Sequence, residues 1–364
     1  MTITTRKAAL GGLAAVGITA ILAGCGAAPE STAGGAGGDV KSDLLTCMVS
    51  DSGGFDDKSF NQLGFEGLNK AVDTLGLPAP KPVESASETD FAPNLTNLAD
   101  QGCGLIVTVG FLLKEATEEA AKANPDIEYA IIDDAQISAD NVKPITFNTS
   151  EAAFLAGYSA AAYSKTGTVG TFGGLQIPTV TIFMDGFVDG VEYYNEQKGK
   201  DVKAIGWDVA SQSGSFTGEF VANQTAKTAA QTLIDQGADV IMPVGGPIFL
   251  SAGEAIRDSS DKKVVMVGVD SDAYETAPDL KDLFLTSVLK GIDAGVEDVV
   301  TNAAKDEFDA TPYVGTLENG GVDIAPFHDY ESEVPSDLSG ELDAIKAGII
   351  DGSITVESPS SLTK

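Results

Sequence analysis

The chain has 364 residues, enough for two cores of ordinary size, with 43% hydrophobic side chains, few aromatics and 41 glycines. Its formal charge of −32 is widely spread. The clustered Lys and Arg that phosphate binding requires are missing, which excludes nucleic acid as a partner.

The first elements in chain order form an export signal. Arg6 and Lys7 give a positive start, Ala8–Ala23 is mostly apolar, and Leu22-Ala23-Gly24-Cys25 places small residues directly before a cysteine. The apolar stretch is short for a bilayer, so residues 1–24 read as a removable signal rather than a spanning helix. Gly26–Lys41 is rich in Gly, Ala and Ser, and residues 25–43 are expected to be a flexible tether.

Leu44–Val49 is an apolar run suited to a central strand, stopped by Asp51, Ser52, Gly53 and Gly54. Ser59 and Gln62 stand at capping-box spacing, so a helix is expected to start near Phe60 with Leu63, Gly67, Leu68, Val72 and Leu75 on its buried side. This turn belongs at the carboxyl edge of a parallel sheet, where open α/β folds bind small molecules. Asp51, Asp57, Phe60 and Asn61 crowd that edge.

The alternation continues with strands expected at Lys81–Ser85, Gly104–Val109 and Glu128–Ile132, and helices over Phe91–Gln101 and through Lys122. A second lobe starts at a helix containing Ala152–Ser164. Strands follow at Val169–Phe172, Lys203–Val209, Asp239–Val244 and Val264–Val269, with a helix started by Pro178 and another over Ala222–Gln236. Beyond Asp270, a strand at Phe284–Leu289 leads at once into a helix over Ile292–Ala304. Tyr313–Phe327 reads as a glycine-rich hairpin, and a helix near Leu342–Ile350 and a strand near Ile354–Val356 close the chain. The tail is expected to cross back, so that several strands join the lobes as a hinge.

Cys47 and Cys103 fall on or beside strands of the first lobe, and the sequence leaves open a disulfide or two buried thiols. Three scattered cysteines and the single His328 give no metal-ligand spacing, and no cofactor is expected. No P-loop or G-x-S-x-G elbow occurs, and the Asp56-Asp57 pair reads as a helix-start cap rather than a catalytic couple, so the chain does not read as an enzyme.

Asp51–Leu68 resembles the opening signature of the basic membrane protein family of substrate-binding lipoproteins, which includes purine nucleoside receptors feeding ABC importers. Further matches follow in family order: Asp100–Phe111, Tyr129–Asp133, Phe154–Gly157, Val169–Gly174, Phe183–Tyr193, Ala238–Ile241, Gly268–Asp272, Thr286–Lys290 and Glu318–Val322. The resemblance covers roughly Leu44 to Val356. It implies an α/β type I periplasmic-binding fold of two Rossmann-like lobes: residues 44–148, completed by about 290–310, and residues 149–284, with 311–364 packing back across both.

The resemblance also implies a cleft that stacks a base between Phe60 and Phe216, with polar contacts from Asp51 and Asn61. Asp270 and Lys290 would clamp the ribose, Gly245 and Gly246 would admit backbone close to the ligand, and Asp133 or Asp134 would add a base contact. Gly218 stands where the family more often has an acidic residue, which bears on base preference. The Leu22–Cys25 tetrad resembles a bacterial lipobox, implying a lipid on Cys25 that holds the protein at the outer face of the cell membrane. Expected partners are a nucleoside, the membrane through that lipid, and ABC permease and ATPase subunits in other chains. A monomer is the expected state of a binding protein that must hinge. The alternatives are a binder of free sugars or related small polar ligands, and a sensor uncoupled from transport.

Overall fold

The computed structural model describes residues 40–259 and 262–362. The signal, Cys25 and residues 26–39 of the tether lie outside the described residues. The first half alternates as the apolar runs dictate: β1 (Thr46–Ser50), α1 (Phe60–Leu75), β2 (Lys81–Glu84), α2 (Phe91–Asp100), β3 (Leu105–Val109), α3 (Lys114–Ala123), β4 (Glu128–Ile132) and β5 (Val142–Phe147). Every residue of β1, β3 and β5 is buried, as expected of parallel strands covered on both faces.

The second half runs α4 (Thr149–Tyr163), β6 (Thr168–Gly173), α5 (Pro178–Lys198), β7 (Lys203–Ile205), β8 (Trp207–Asp208), β9 (Ser213–Gly214), α6 (Gln224–Asp235), β10 (Val240–Val244), α7 (Ile248–Asp258) and β11 (Val265–Asp270). It closes with α8 (Ala273–Thr276), β12 (Phe284–Lys290), α9 (Ile292–Ala304), β13 (Tyr313–Gly315), β14 (Val322–Ile324) and α10 (Leu338–Ile350).

Twelve of these strands form two six-stranded sheets, ordered β13-β5-β4-β3-β1-β2 and β14-β12-β11-β10-β6-β7, and β8 pairs separately with β9. All neighbours are parallel except β14, which runs antiparallel to β12. The orders match position by position, with β4 corresponding to β11 and β3 to β10. Each lobe therefore aims an equivalent strand end at the other.

The chain crosses between the sheets three times: after β5, after β12, and between β13 and β14. Three spans make the multi-strand hinge that the sequence anticipates. The hairpin expected over Tyr313–Phe327 is not one. Its arms part to separate sheets, with Tyr313 beside Ile145 and Val322 beside Lys290. Asn319 holds the turn, accepting from the N–H of Thr316 and Gly321 and donating to Val314 O, while each arm caps a sheet edge that would otherwise be unpaired.

Three further expectations are corrected. The strand expected over Lys203–Val209 breaks at Gly206, whose φ is +91°, and Trp207 turns inward to donate its indole N–H to Asp185 at 2.8 Å. The strand expected at Ile354–Val356 is an irregular tail, in which the Ile354 N–H goes to Gly348 O on α10 and Ser358 donates to Asp185. The start of α1 is not held by a Ser59–Gln62 box. Asp57 does that work, taking the N–H groups of Ser59, Asn61 and Gln62 at 2.9–3.1 Å. On the same helix Leu63 and Leu75 are half-buried, while Gly67, Leu68 and Val72 are buried.

The open choice for Cys47 and Cys103 resolves as a disulfide with a Cα–Cα distance of 6.0 Å, pinning β1 to the entry of β3. Such bonds persist outside the reducing cytosol.

Candidate functional site

The carboxyl ends of the central strands meet across a cleft. From the first lobe come Asp51 after β1, Asp57, Phe60 and Asn61 at the start of α1, Gly110 and Phe111 after β3, and Asp133 after β4. From the second come Val180 and Phe183 on α5, Phe220, Gly245 and Gly246 after β10, Asp270 ending β11, and Lys290 ending β12. About 550 Å³ free of protein atoms lies between them, counted out to the open mouth.

Lys290 is 4% exposed and sits among charges and rings. Its Nζ lies 2.7 and 2.9 Å from the two Asp133 oxygens and 3.8 Å from Asp270 Oδ1. The centroids of Phe60, Phe147 and Phe183 stand 4.9, 5.1 and 5.7 Å away, close enough for the ring faces to attract the ammonium. The tighter ion pair therefore joins Lys290 to Asp133 across the lobes, while Ser59 Oγ lies 3.1 Å from Asp270 Oδ2. Asp133 and Asp270 both adopt the left-handed backbone, φ +68° and +67°, a conformation Asp tolerates better than most residues. The same turn at equivalent strand ends brings both carboxylates to one cation.

Four carboxyl groups are thus buried at the cleft, and Lys290 lies within 4 Å of two of them, Asp133 and Asp270. Burial pushes Asp51 and Asp270 up to about 6, against the hydrogen bonds of Asn61 and Gly53 in the first case and the Lys290 charge in the second. Burial also raises Asp57 and Asp133. Outside the cleft Asp189 is raised to about 7, by burial and the neighbouring Glu192 and Asp185.

A carboxyl raised on folding contributes stability that is complete below its unfolded value near 3.8 and lost as pH climbs through its folded value. The ligand-free protein is therefore expected to melt at a higher temperature at pH 5 than at pH 7.5, with Asp51→Asn flattening that slope. Calorimetric scans across this range check it, and a melting temperature that drops steadily toward pH 5 would refute the assignment.

Eight of the ten residues named from sequence line the cleft: Asp51, Phe60, Asn61, Asp133, Gly245, Gly246, Asp270 and Lys290. Asp134 does not. It is fully buried, and its Oδ1 takes the N–H groups of Gln136 and Ile137, holding the turn after β4. Phe216 is also outside, its ring edge-on to Trp207 at 5.7 Å.

Phe220 occupies the place given to Phe216. A Cβ on Gly174 or Gly245 would come within 2.3 or 2.6 Å of the Phe220 ring, so glycine at both positions makes the notch that receives it. The loop turns at Gly218, φ +87°, between the two rings. Phe183, on α5, is both core and cleft wall.

At the mouth the lobes touch directly. Ser59 Oγ donates to Val269 O at 3.0 Å, and Ser271 and Thr276 hydroxyls donate to Lys58 O at 2.9 and 2.8 Å.

A family profile described as ABC transporter substrate-binding protein PnrA-like matches residues 44–356. The "ABC transporter nucleoside-binding protein BmpA" of Lactococcus lactis subsp. cremoris is 31% identical over 359 residues, covering 94% of this chain and 97% of its own. The "CD4+ T-cell-stimulating antigen" of Listeria monocytogenes is 31% identical over 330 residues, covering 86% and 88%. Among solved structures, an ABC transporter solute-binding protein of Aeropyrum pernix superimposes with TM-score 0.76 at 25% identity, covering 87% of this chain and 94% of that one. The two matched sheets and their three-span hinge are the type I periplasmic-binding architecture. The chain belongs to the PnrA-like family of ABC transporter substrate-binding proteins.

Proposed function

We propose that this protein is the extracytoplasmic receptor of an ABC importer and that its cleft captures a nucleoside, with a purine as the preferred base. The observation that carries the reading is the pairing of Phe60 and Phe220, one from each lobe, in a cleft that also holds the Asp133–Lys290–Asp270 cluster. A base is a flat apolar plate with a polar rim, suited to rings on either side. A sugar carries vicinal hydroxyls, which carboxylates accept from and an ammonium donates to. The name of the Lactococcus relative points the same way. Residues 1–24 serve as the signal and Cys25 carries the lipid anchor. The permease and ATPase are separate chains, and the protein performs no catalysis.

Calorimetry of the soluble fragment against adenosine, guanosine, inosine, cytidine, uridine and ribose tests this. Nucleosides should bind with affinity well above ribose, and binding of free sugar with no response to any nucleoside would reject the reading. Phe220→Ala should weaken nucleoside binding by roughly 1–3 kcal/mol, the worth of one stacked base. Phe216→Ala, which removes packing against Trp207 and the core outside the cleft, should lower thermal stability and leave affinity within about twofold. Equal affinity losses in the two variants would put Phe220 out of the stacking role.

A further inference from the structure

The loop that carries Phe220 holds little shape of its own. After β7 it leaves the sheet at Gly206, and its internal ladder, Trp207–Asp208 with Ser213–Gly214, is only two residues long. So short a hairpin is marginal unaided. The stretch next to Phe220 is stitched to the end of β6, where the N–H groups of Thr217 and Gly218 donate to the carbonyls of Gly173 and Gly174 at 2.9 Å. The stretch before it needs another anchor.

That anchor is Asp185, a fully buried carboxyl on α5 that does not line the cleft. Its Oδ1 receives the indole N–H of Trp207 at 2.8 Å and the side-chain amide of Gln212 at 2.9 Å, while Oδ2 receives the hydroxyl of Ser358, from the tail beyond α10, at 2.5 Å. The tail is fastened again two residues on. Buried Ser360 Oγ lies 2.6 Å from Thr181 Oγ1 on α5 and 3.3 Å from Gln212 Oε1, and the Ser360 N–H donates to Ser358 Oγ at 3.0 Å. Gln212 is thus gripped by α5 through its amide nitrogen and by the tail through its amide oxygen. Its φ of +49° is a left-handed backbone that a non-glycine residue keeps only where its surroundings hold it. A buried carboxyl stripped of a donor is destabilised, so loop and tail each help to keep the other in place.

We propose that Asp185 and the tail segment Ser358–Ser360 are positioning residues for the Phe220 loop, a strap that fixes the second stacking ring before a nucleoside enters. This rests on the nucleoside reading and deepens it. None of Asp185, Ser358 and Ser360 lines the cleft, so their effect on binding travels through Trp207, Gln212 and the loop. With the strap released, the ring must be ordered during binding, and the entropy of ordering it is subtracted from affinity.

The experiment is a double-mutant cycle read by calorimetry with adenosine, guanosine, inosine, cytidine and uridine. It compares the wild type, the pair Ser358→Ala with Ser360→Ala, Phe220→Ala, and all three substitutions together. In the wild-type background the tail substitutions should weaken the best-bound nucleoside by about 3–10-fold. With Phe220 already gone they should change affinity by less than twofold, because a strap that acts through the ring has nothing left to position. A melting scan verifies that each protein folds, and Ser358→Ala and Ser360→Ala taken singly carry the same comparison if the pair does not. An equal loss in both backgrounds, or a change below twofold in both, overturns the strap and leaves the nucleoside reading standing. Wild-type binding that Phe220→Ala does not weaken takes Phe220 out of stacking and the strap with it. No binding of any of the five by the wild type removes both the strap and the nucleoside reading.

Discussion

Lys290→Met is expected to lower the unfolding free energy at pH 7 by about 4 kcal/mol and to abolish measurable ligand binding. Methionine is nearly as long and keeps an apolar stem, while the ammonium and its attraction to the rings of Phe60, Phe147 and Phe183 are removed, so the loss is electrostatic. Asp133 and Asp270, 5% and 6% exposed, are left without the cation they share. Breaking a buried pair on one side typically costs 3–5 kcal/mol. An upper limit follows from chemistry, because an abandoned carboxyl escapes by taking a proton. From an ordinary value of 3.8, holding one carboxyl protonated at pH 7 costs about 4 kcal/mol, and at pH 5 only about 1.6. Urea titrations at the two pH values should therefore show the deficit of the variant shrinking by more than half, and Asp133→Asn in the same background should recover part of it at pH 7. A deficit independent of pH would mean that Lys290 acts through packing.

Reduction of the Cys47–Cys103 bond should cost a similar amount for a different reason. The bond closes a loop with a sequence separation of 56 that contains α1, β2 and α2. In the chain-entropy account a loop of that length restricts the unfolded state by about 4 kcal/mol. Both sulfurs are buried, with Cys47 0% and Cys103 2% exposed. Thiol reagents should consequently act slowly on the native protein and fast in urea, and the reduced protein or the double alanine variant should unfold at a clearly lower urea midpoint. Identical midpoints for the oxidised and reduced forms would show that the strands hold this corner unaided.

Much of the fold is legible because parallel strands buried on both faces leave unbroken apolar runs. Glu128–Ile132 and Ile292–Ala304 are found where the sequence puts them. β5 escapes because Lys143 and Pro144 interrupt its apolar pattern. The proline is tolerated because β13 pairs only from Ile145 onward, leaving that side of Pro144 unpaired. α7 escapes because it begins directly after Gly245-Gly246-Pro247, a stretch that reads as the end of a strand.

The cleft follows the same logic. Asp51, Asp133, Asp270 and Lys290 end strands or directly follow them, and strand ends in matched sheets converge whatever the loops do. Phe216 and Phe220 sit in a loop whose path depends on a notch between two distant glycines, Gly174 and Gly245, and linear order carries no record of that notch. Asp133 and Asp134 are adjacent in sequence and opposite in duty, because the left-handed turn at Asp133 sends one side chain to the cation and the other into its own loop.

The hydroxyl contacts that Ser59, Ser271 and Thr276 make across the mouth involve no cargo. At about 0.5–1.5 kcal/mol each, three of them offset part of the entropy of shutting before any solute arrives. A receptor biased in this way captures scarce solute efficiently, since little of the binding energy is diverted into moving the lobes. The same bias favours a shut receptor even when it is unloaded. Being uncharged, these three contacts should contribute nearly the same amount to shutting as the ionic strength changes.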